Sequence, residues 1–294
     1  MPVASTCPPA TLICGRYRWT LERPLLMGVV NLTEDSFSDG GRLLDPERAV
    51  AQARELVAAG ADIIDLGAES TRPGATAVDA ALEIERLVPV LGALRDCGAA
   101  LSVDTRKAEV MTAALAAGAD MINDVNGFRD EGAIDAVRES AAGLCVMHMQ
   151  GTPEIMQAAP SYRDAVGEVA QFLRGRAEVL EQAGVAPERI VLDPGIGFGK
   201  SLVHNLQLLA RLEAIAAIGL PVLIGVSRKS MIGTITGRGV DARLTGSIAA
   251  MLFAVSRGAS IVRVHDVAAS RDALLVWQAI AEAGSSTAQI QQEG

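Results

Sequence analysis

Arg263 and His265 stand two residues apart in the run RVHD, and in a β-strand that spacing turns both side chains to one face. A planar guanidinium fork beside a histidine donor suits phosphate oxygens. The competing reading is a buried arginine held by Asp266 or another carboxylate. Asp104 and Asp193 each close an apolar run. A carboxylate buried there requires donors, and a polar heterocycle rich in N–H groups would supply them. Other apolar runs end on Asn31, Glu69, Asn123 with Asp124, His148 with Gln150, and Lys229. Each alone has a plain structural reading as a hydrogen-bonded core residue; their recurrence at run after run favours a site.

The segment Asp193-Pro-Gly-Ile-Gly-Phe-Gly-Lys200-Ser201 invites comparison with a phosphate-binding P-loop, but the interval from Gly195 to Gly199 is one residue short. Gly237 to Ala242 has the glycine spacing of a dinucleotide fingerprint but follows no expected strand. Nucleotide cofactors are therefore not expected. The glycines after Asp193 are read instead as letting the backbone turn closely around a ligand, with Phe198 offering an apolar face.

Eight β-rich runs position these residues: Leu25 to Asn31, Asp62 to Glu69, Ala100 to Thr105, Met121 to Asn126, Leu144 to Met149, Ile190 to Gly195, Val222 to Ser227 and Ile261 to Asp266. Between them lie alanine-rich segments of helical periodicity, such as Pro46 to Ala59 and Ala242 to Val255. Ala59-Gly60-Ala61-Asp62, Ala117-Gly118-Ala119-Asp120 and Arg257-Gly258-Ala259-Ser260 repeat one helix-ending phrase before a strand. Alternating strands and helices imply parallel strands joined by right-handed crossovers. Eight such units predict an α/β fold, a (β/α)8 TIM barrel, whose site lies at the C-terminal ends of the strands. Residues 1–24 are expected to form an N-terminal β-hairpin extension, 25–284 the barrel, and 285–294 a disordered tail. The glycine-rich connections 31–45 and 70–79 are long for such units and read as binding loops or lids.

The chain has 294 residues, 50% of them hydrophobic and 21% charged, with a formal net charge of -9. That acidity argues against nucleic acid or an anionic membrane as a partner. The apolar runs are too short to span a bilayer, and residues 1–10 lack the layout of a signal peptide, so a cytoplasmic location is expected. The four cysteines form no closely spaced pair and read as reduced thiols.

Taken together, MGVVNLTEDSFSDGG (27–41), IDLGAESTRPGA (64–75), SVDTRK (102–107), INDVNG (122–127), MHMQGTP (147–153), DPGIGFGKSLVHN (193–205), GVSRKS (225–230) and RVHD (263–266) resemble the dihydropteroate synthase family. These folate-pathway transferases join 7,8-dihydropterin-6-ylmethyl diphosphate to 4-aminobenzoate, release pyrophosphate, and are sulfonamide targets. The resemblance implies that Asp104, Asn123, Asp193 and Lys229 bind the pterin, with Met147 and Phe198 among its walls. It places the diphosphate on Arg263 and His265, with Thr71 facing it and Asn31 beside a Mg²⁺ ion. It assigns 4-aminobenzoate to Phe37, Ser38, Thr71, Arg72, Pro73, Lys229 and Ser230, and catalysis to Asp104, Lys229 and Arg263.

Charge balance then favours a dissociative substitution, in which the electron-rich pterin carries a cationic methylene and Asp104 stabilises it. The resemblance also implies a homodimer formed through helices near the C-terminus. Ile196, where many relatives have phenylalanine, and Gly127-Phe128-Arg129 depart from the family pattern, at positions read as touching no ligand. A pterin-binding methyltransferase domain and a non-catalytic pterin-binding paralogue are the alternatives, disfavoured by the intact STRP, SRKS and RVHD segments.

Overall fold

The computed structural model describes residues 11–33, 46–70, 78–152 and 155–290, with no side-chain detail for 284–290. Its strands are β1 (Thr11–Cys14), β2 (Tyr17–Thr20), β3 (Leu25–Asn31), β4 (Ile63–Gly67), β5 (Ala100–Asp104), β6 (Met121–Asp124), β7 (Gly143–Met147), β8 (Ile190–Asp193), β9 (Leu223–Gly225) and β10 (Ile261–Val264). The last eight form one parallel sheet in the order β8-β7-β6-β5-β4-β3-β10-β9. A bridge between Leu192 and Val222 joins its two ends, and the Leu192 N–H donates to the Pro221 carbonyl at 2.9 Å. Helices cover the outside, and the expected (β/α)8 barrel is the observed one. The closing helix runs Val267–Ile290, so residues 285–290 of the tail expected to be disordered are helical.

Alternation along each strand sorts the side chains into an outer and an inner set. Outward residues such as Ile64, Leu66, Leu101, Val103, Ile122, Leu144, Val146, Ile190, Leu192, Ile224 and Val262 belong to the core shared with the helices. Inward residues fall into two layers, as barrel interiors do. The lower layer is apolar: Leu25, Met27, Ile63, Ala100, Met121, Cys145, Val191, Leu223 and Ile261. Two residues further along the same strands stand Asp65, Ser102, Asn123, Met147, Asp193, Gly225 and Arg263; Asp104 follows Ser102 on the same face. The polar strand ends are thus the next inward positions of strands whose lower positions are oil.

The hairpin β1-β2 closes the lower end. Thr11 pairs with Thr20 and Cys14 with Tyr17, and Leu12 and Cys14 pack into the lower layer. Its tip is latched by Arg16, whose Nη2 donates to Asp120 Oδ2 at 2.8 Å and whose Nε donates to Asp120 Oδ1 at 3.0 Å. Asp120 also accepts the Leu101 N–H at 3.0 Å. Leu12 is fully buried, so Leu12→Ala is expected to lower unfolding free energy by about 2–5 kcal/mol. Urea denaturation measures this; a loss below about 0.5 kcal/mol, the size of an ordinary surface change, would contradict the plug.

Candidate active site

Asp65 lies at the centre of the polar layer and is fully buried. Its Oδ1 accepts the Ser102 hydroxyl at 2.6 Å. Its Oδ2 accepts Arg263 Nε at 2.6 Å and Asn123 Nδ2 at 3.3 Å. The second arm of the guanidinium, Nη2, donates to Asp104 Oδ2 at 3.2 Å. Two of arginine's five N–H groups are thereby engaged. Asn123, 4% exposed, leaves its Oδ1 buried with no hydrogen-bond partner. An orphaned buried acceptor is rare, and here it lies beside carboxylates, so the layer presents acceptors for a ligand's donors.

Across the barrel, the Asp193 carboxylate accepts the Gly195 N–H at 2.7 Å. Lys229 donates to the Ile196 carbonyl, and its ammonium lies 4.6 Å from the centroid of the Phe198 ring, a cation–π contact. Gly195 and Gly199 permit this turn: φ is +65° and +61°, and a Cβ would lie 2.0 Å from the His148 carbonyl oxygen or 2.5 Å from that of Gln150. Met147, Met149, Met156 and Val125 form a buried apolar wall with Phe198 packed against it. A flat heterocycle between that wall and the acceptors would have its faces and its edges matched.

The electrostatics follow from burial. Asp104 is pushed up to about 7, chiefly by desolvation; Arg263 opposes the rise and Asp65 adds to it. Burial also raises Asp193, against the pull of Lys229. It lowers Lys229 to about 8, against the pull of Asp193. Three carboxylates, Asp65, Asp104 and Asp193, face two cations, Arg263 and Lys229, so the fully ionised cluster carries an excess negative charge.

The ends of β9 and β10 are tied together above this layer. Ser227 Oγ takes the His265 N–H at 3.2 Å and lies 3.0 Å from His265 Nδ1. Arg228 holds Asp266 with Nε–Oδ2 at 3.0 Å, at a backbone φ of +58°. Asp266 is thus the partner of Arg228, and the carboxylates that hold Arg263 are Asp65 and Asp104. Arg263 is not the unencumbered phosphate fork of the sequence reading. His265 and Ser230 are exposed, and Asn31, at the tip of β3, is half-buried.

Four polar strand ends serve the scaffold instead. Asp124 points outward and accepts the Asn126 and Phe128 N–H groups at 2.7 and 2.6 Å. His148 is buried against Lys200 at 2.9 Å, and Gln150 bonds Ser161. Glu69 takes Lys107, which also binds Glu83 and the Val78 carbonyl. Phe37, Ser38, Thr71, Arg72 and Pro73 lie outside the described residues. Sequence reasoning passed over Asp65, although its place two residues past Ile63 in IIDLG gives its inward face. Ile196, read as touching no ligand, meets Lys229 through its backbone carbonyl, a contact that no side-chain reading shows.

A family model described as pterin binding enzyme matches residues 27–265. The dihydropteroate synthase of Neisseria meningitidis serogroup C is 52% identical over 271 residues, covering 90% of this chain and 96% of that one. The crystal structure of Burkholderia cenocepacia dihydropteroate synthase complexed with 7,8-dihydropteroate superposes with a TM-score of 0.87 at 48% identity, covering 96% of this chain and all of that one. A Yersinia pestis dihydropteroate synthase in a sulfonamide drug complex gives a TM-score of 0.88 at 42% identity, over 92% of this chain and 99% of that one. With the barrel, the acceptor layer and the glycine turn in place, these similarities show that the chain belongs to the pterin-binding enzymes, in the dihydropteroate synthase family.

Proposed function

We propose that this transferase condenses 7,8-dihydropterin-6-ylmethyl diphosphate with 4-aminobenzoate to give 7,8-dihydropteroate and pyrophosphate. The buried, unpartnered Asn123 Oδ1, beside Asp65 and next to Asp104 in the strand register, carries the reading, because a pterin edge offers the N–H donors this arrangement lacks. Lys229 donates to the heterocycle's acceptors, and Met147 and Phe198 hold its faces. The methylene C–O bond breaks and its electron pair departs with pyrophosphate. The arylamine nitrogen then bonds to the cationic carbon and gives up its proton to solvent. No protein nucleophile is required. The excess negative charge of Asp65, Asp104 and Asp193 stabilises the cation.

The free N–H groups of Arg263, with His265 above them, receive the diphosphate. Among the described residues no cluster of three or more His, Cys, Asp or Glu side chains can hold a metal. Asn31, at the tip of β3, would hold a Mg²⁺ ion, which when bound would help neutralise the leaving pyrophosphate. Thr71 is assigned to the diphosphate and the aminobenzoate, and Phe37, Ser38, Arg72, Pro73, Lys229 and Ser230 to the aminobenzoate.

Exposed apolar residues, Phe253 on the Leu244–Ser256 helix and Leu275, Val276 and Ile280 on the closing helix, support a homodimer through this end of the chain. No helix of the described residues is long and apolar enough to cross a membrane. Cys14, Cys97 and Cys145 are free thiols, in keeping with a reducing, cytoplasmic setting.

Incubating the purified chain with both substrates and Mg²⁺ should yield dihydropteroate. Methyl transfer from methyltetrahydrofolate to a cobalamin protein, or pterin binding without product, would overturn the assignment. Arg263→Lys keeps the charge that Asp65 requires but loses the fork, and should lower kcat/KM for the pterin diphosphate by about 2–4 kcal/mol. An unchanged value would remove Arg263 from the leaving-group site.

The pH dependence has a definite sign. The Asp104 carboxylate forms as pH rises through about 7, and the Lys229 ammonium is lost as pH rises through about 8. In steady-state assays, kcat/KM should climb across the first value and fall beyond the second, and Lys229→Met should lose only the alkaline limb.

A further inference from the structure

The turn from Gly195 to Gly199 has no regular secondary structure, yet every one of its carbonyls accepts a side-chain donor. Gly195 and Phe198 carbonyls take Lys200 Nζ, each at 2.9 Å. The Ile196 carbonyl takes Lys229. Gly197 takes Gln157 Nε2 at 2.6 Å, and Gly199 takes the Tyr162 hydroxyl at 2.8 Å. Lys200 is the hub. It is 2% exposed, and its ammonium also touches His148 Nδ1 at 2.9 Å and the His148 carbonyl at 3.2 Å. Burial holds His148 down to about 3, so its ring is neutral and Nδ1 is free to accept. Burial lowers Lys200 to about 7, against the pull of Asp193, and no carboxylate bonds it among the described residues. Its contacts are the turn and the end of β7.

We propose that Lys200, assisted by Gln157 and Tyr162, positions the 195–199 turn so that the Phe198 ring and the Lys229 ammonium stay in place against the pterin, without itself touching the ligand. This rests on the pterin reading of the pocket. A glycine-rich turn unbonded at its carbonyls would sample other conformations, and ordering it would then subtract from ligand affinity. Removing the hub should therefore act on the pterin side of the reaction. Lys229, which bonds the turn, also serves the aminobenzoate, so that side should change too, but by less.

The test compares wild type, Lys200→Met, Lys200→Gln and Tyr162→Phe, with calorimetric binding of 7,8-dihydropterin-6-ylmethyl diphosphate and both KM values measured below each variant's melting temperature. Lys200→Met should weaken pterin binding and raise its KM about tenfold or more, as expected for loss of several buried hydrogen bonds, with a smaller rise in the aminobenzoate KM through Lys229. Lys200→Gln, which keeps an amide donor, should recover part of the loss. Tyr162→Phe, which removes a hydroxyl alone, should give a weaker effect of about three- to tenfold in the same direction, and decides the matter where the lysine variants do not fold. Pterin affinity unchanged in the folded variants, or both KM values rising in proportion, would overturn the positioning role. A wild-type chain that binds no pterin would overturn the underlying reading itself.

Discussion

A fully buried carboxylate at Asp65 imposes the arrangement around it. A charge this far from water persists only where donors surround it, and here Ser102, Asn123 and Arg263 fill that role from β5, β6 and β10. Each donor is oriented in return. The Asn123 amide must turn its nitrogen toward Asp65, which leaves its oxygen as the acceptor without a partner. Arg263 must lay its Nε side against Asp65, which directs one arm to Asp104. One buried ion pair thus fixes an acceptor, a cation and a second carboxylate on different strands.

The remainder of the barrel makes this layer possible at a cost in stability. Asp104 binds its proton more tightly folded than unfolded, since its ordinary value near 4 moves to about 7. Its contribution therefore subtracts stability as pH rises through that window. The apolar lower layer, the helix-facing core and the hairpin plug supply the opposing term. Their positions alternate with, or lie below, the polar ones along the same strands, so the scaffold and the site share a backbone without sharing side chains. The Ser227–His265 and Arg228–Asp266 contacts hold the ends of β9 and β10 in register above it.

Much of this was legible in the sequence because strand alternation is a strong signal. The eight runs coincide with β3 to β10 to within two residues at each end, and Asp104, Asn123, Asp193, Lys229 and Arg263 converge as expected. Reading only strand ends misled in both directions. It took in Asp124, one residue past Asn123 and therefore on the opposite face, and passed over Asp65, two residues short of its strand's end. Lys200 was dismissed with the failed P-loop comparison, since a lysine bonded to carbonyls leaves no motif. The Ile196 contact is made by backbone and is invisible to any side-chain reading. Arg263 was seen as a phosphate fork because its carboxylate partners lie on strands far away in sequence, 198 residues distant for Asp65.

If the buried negative charge of Asp65 governs the pocket, removing it must change when Asp104 ionises. Asp65 raises the Asp104 value directly, and it competes for the Arg263 guanidinium that lowers it. Both effects have one sign. The direct measurement is the pH at which the chain begins to bind a 7,8-dihydropterin, determined calorimetrically for wild type and Asp65→Asn. The acid limb should move to lower pH in the variant. A limb that stays in place, or moves upward, would contradict the account.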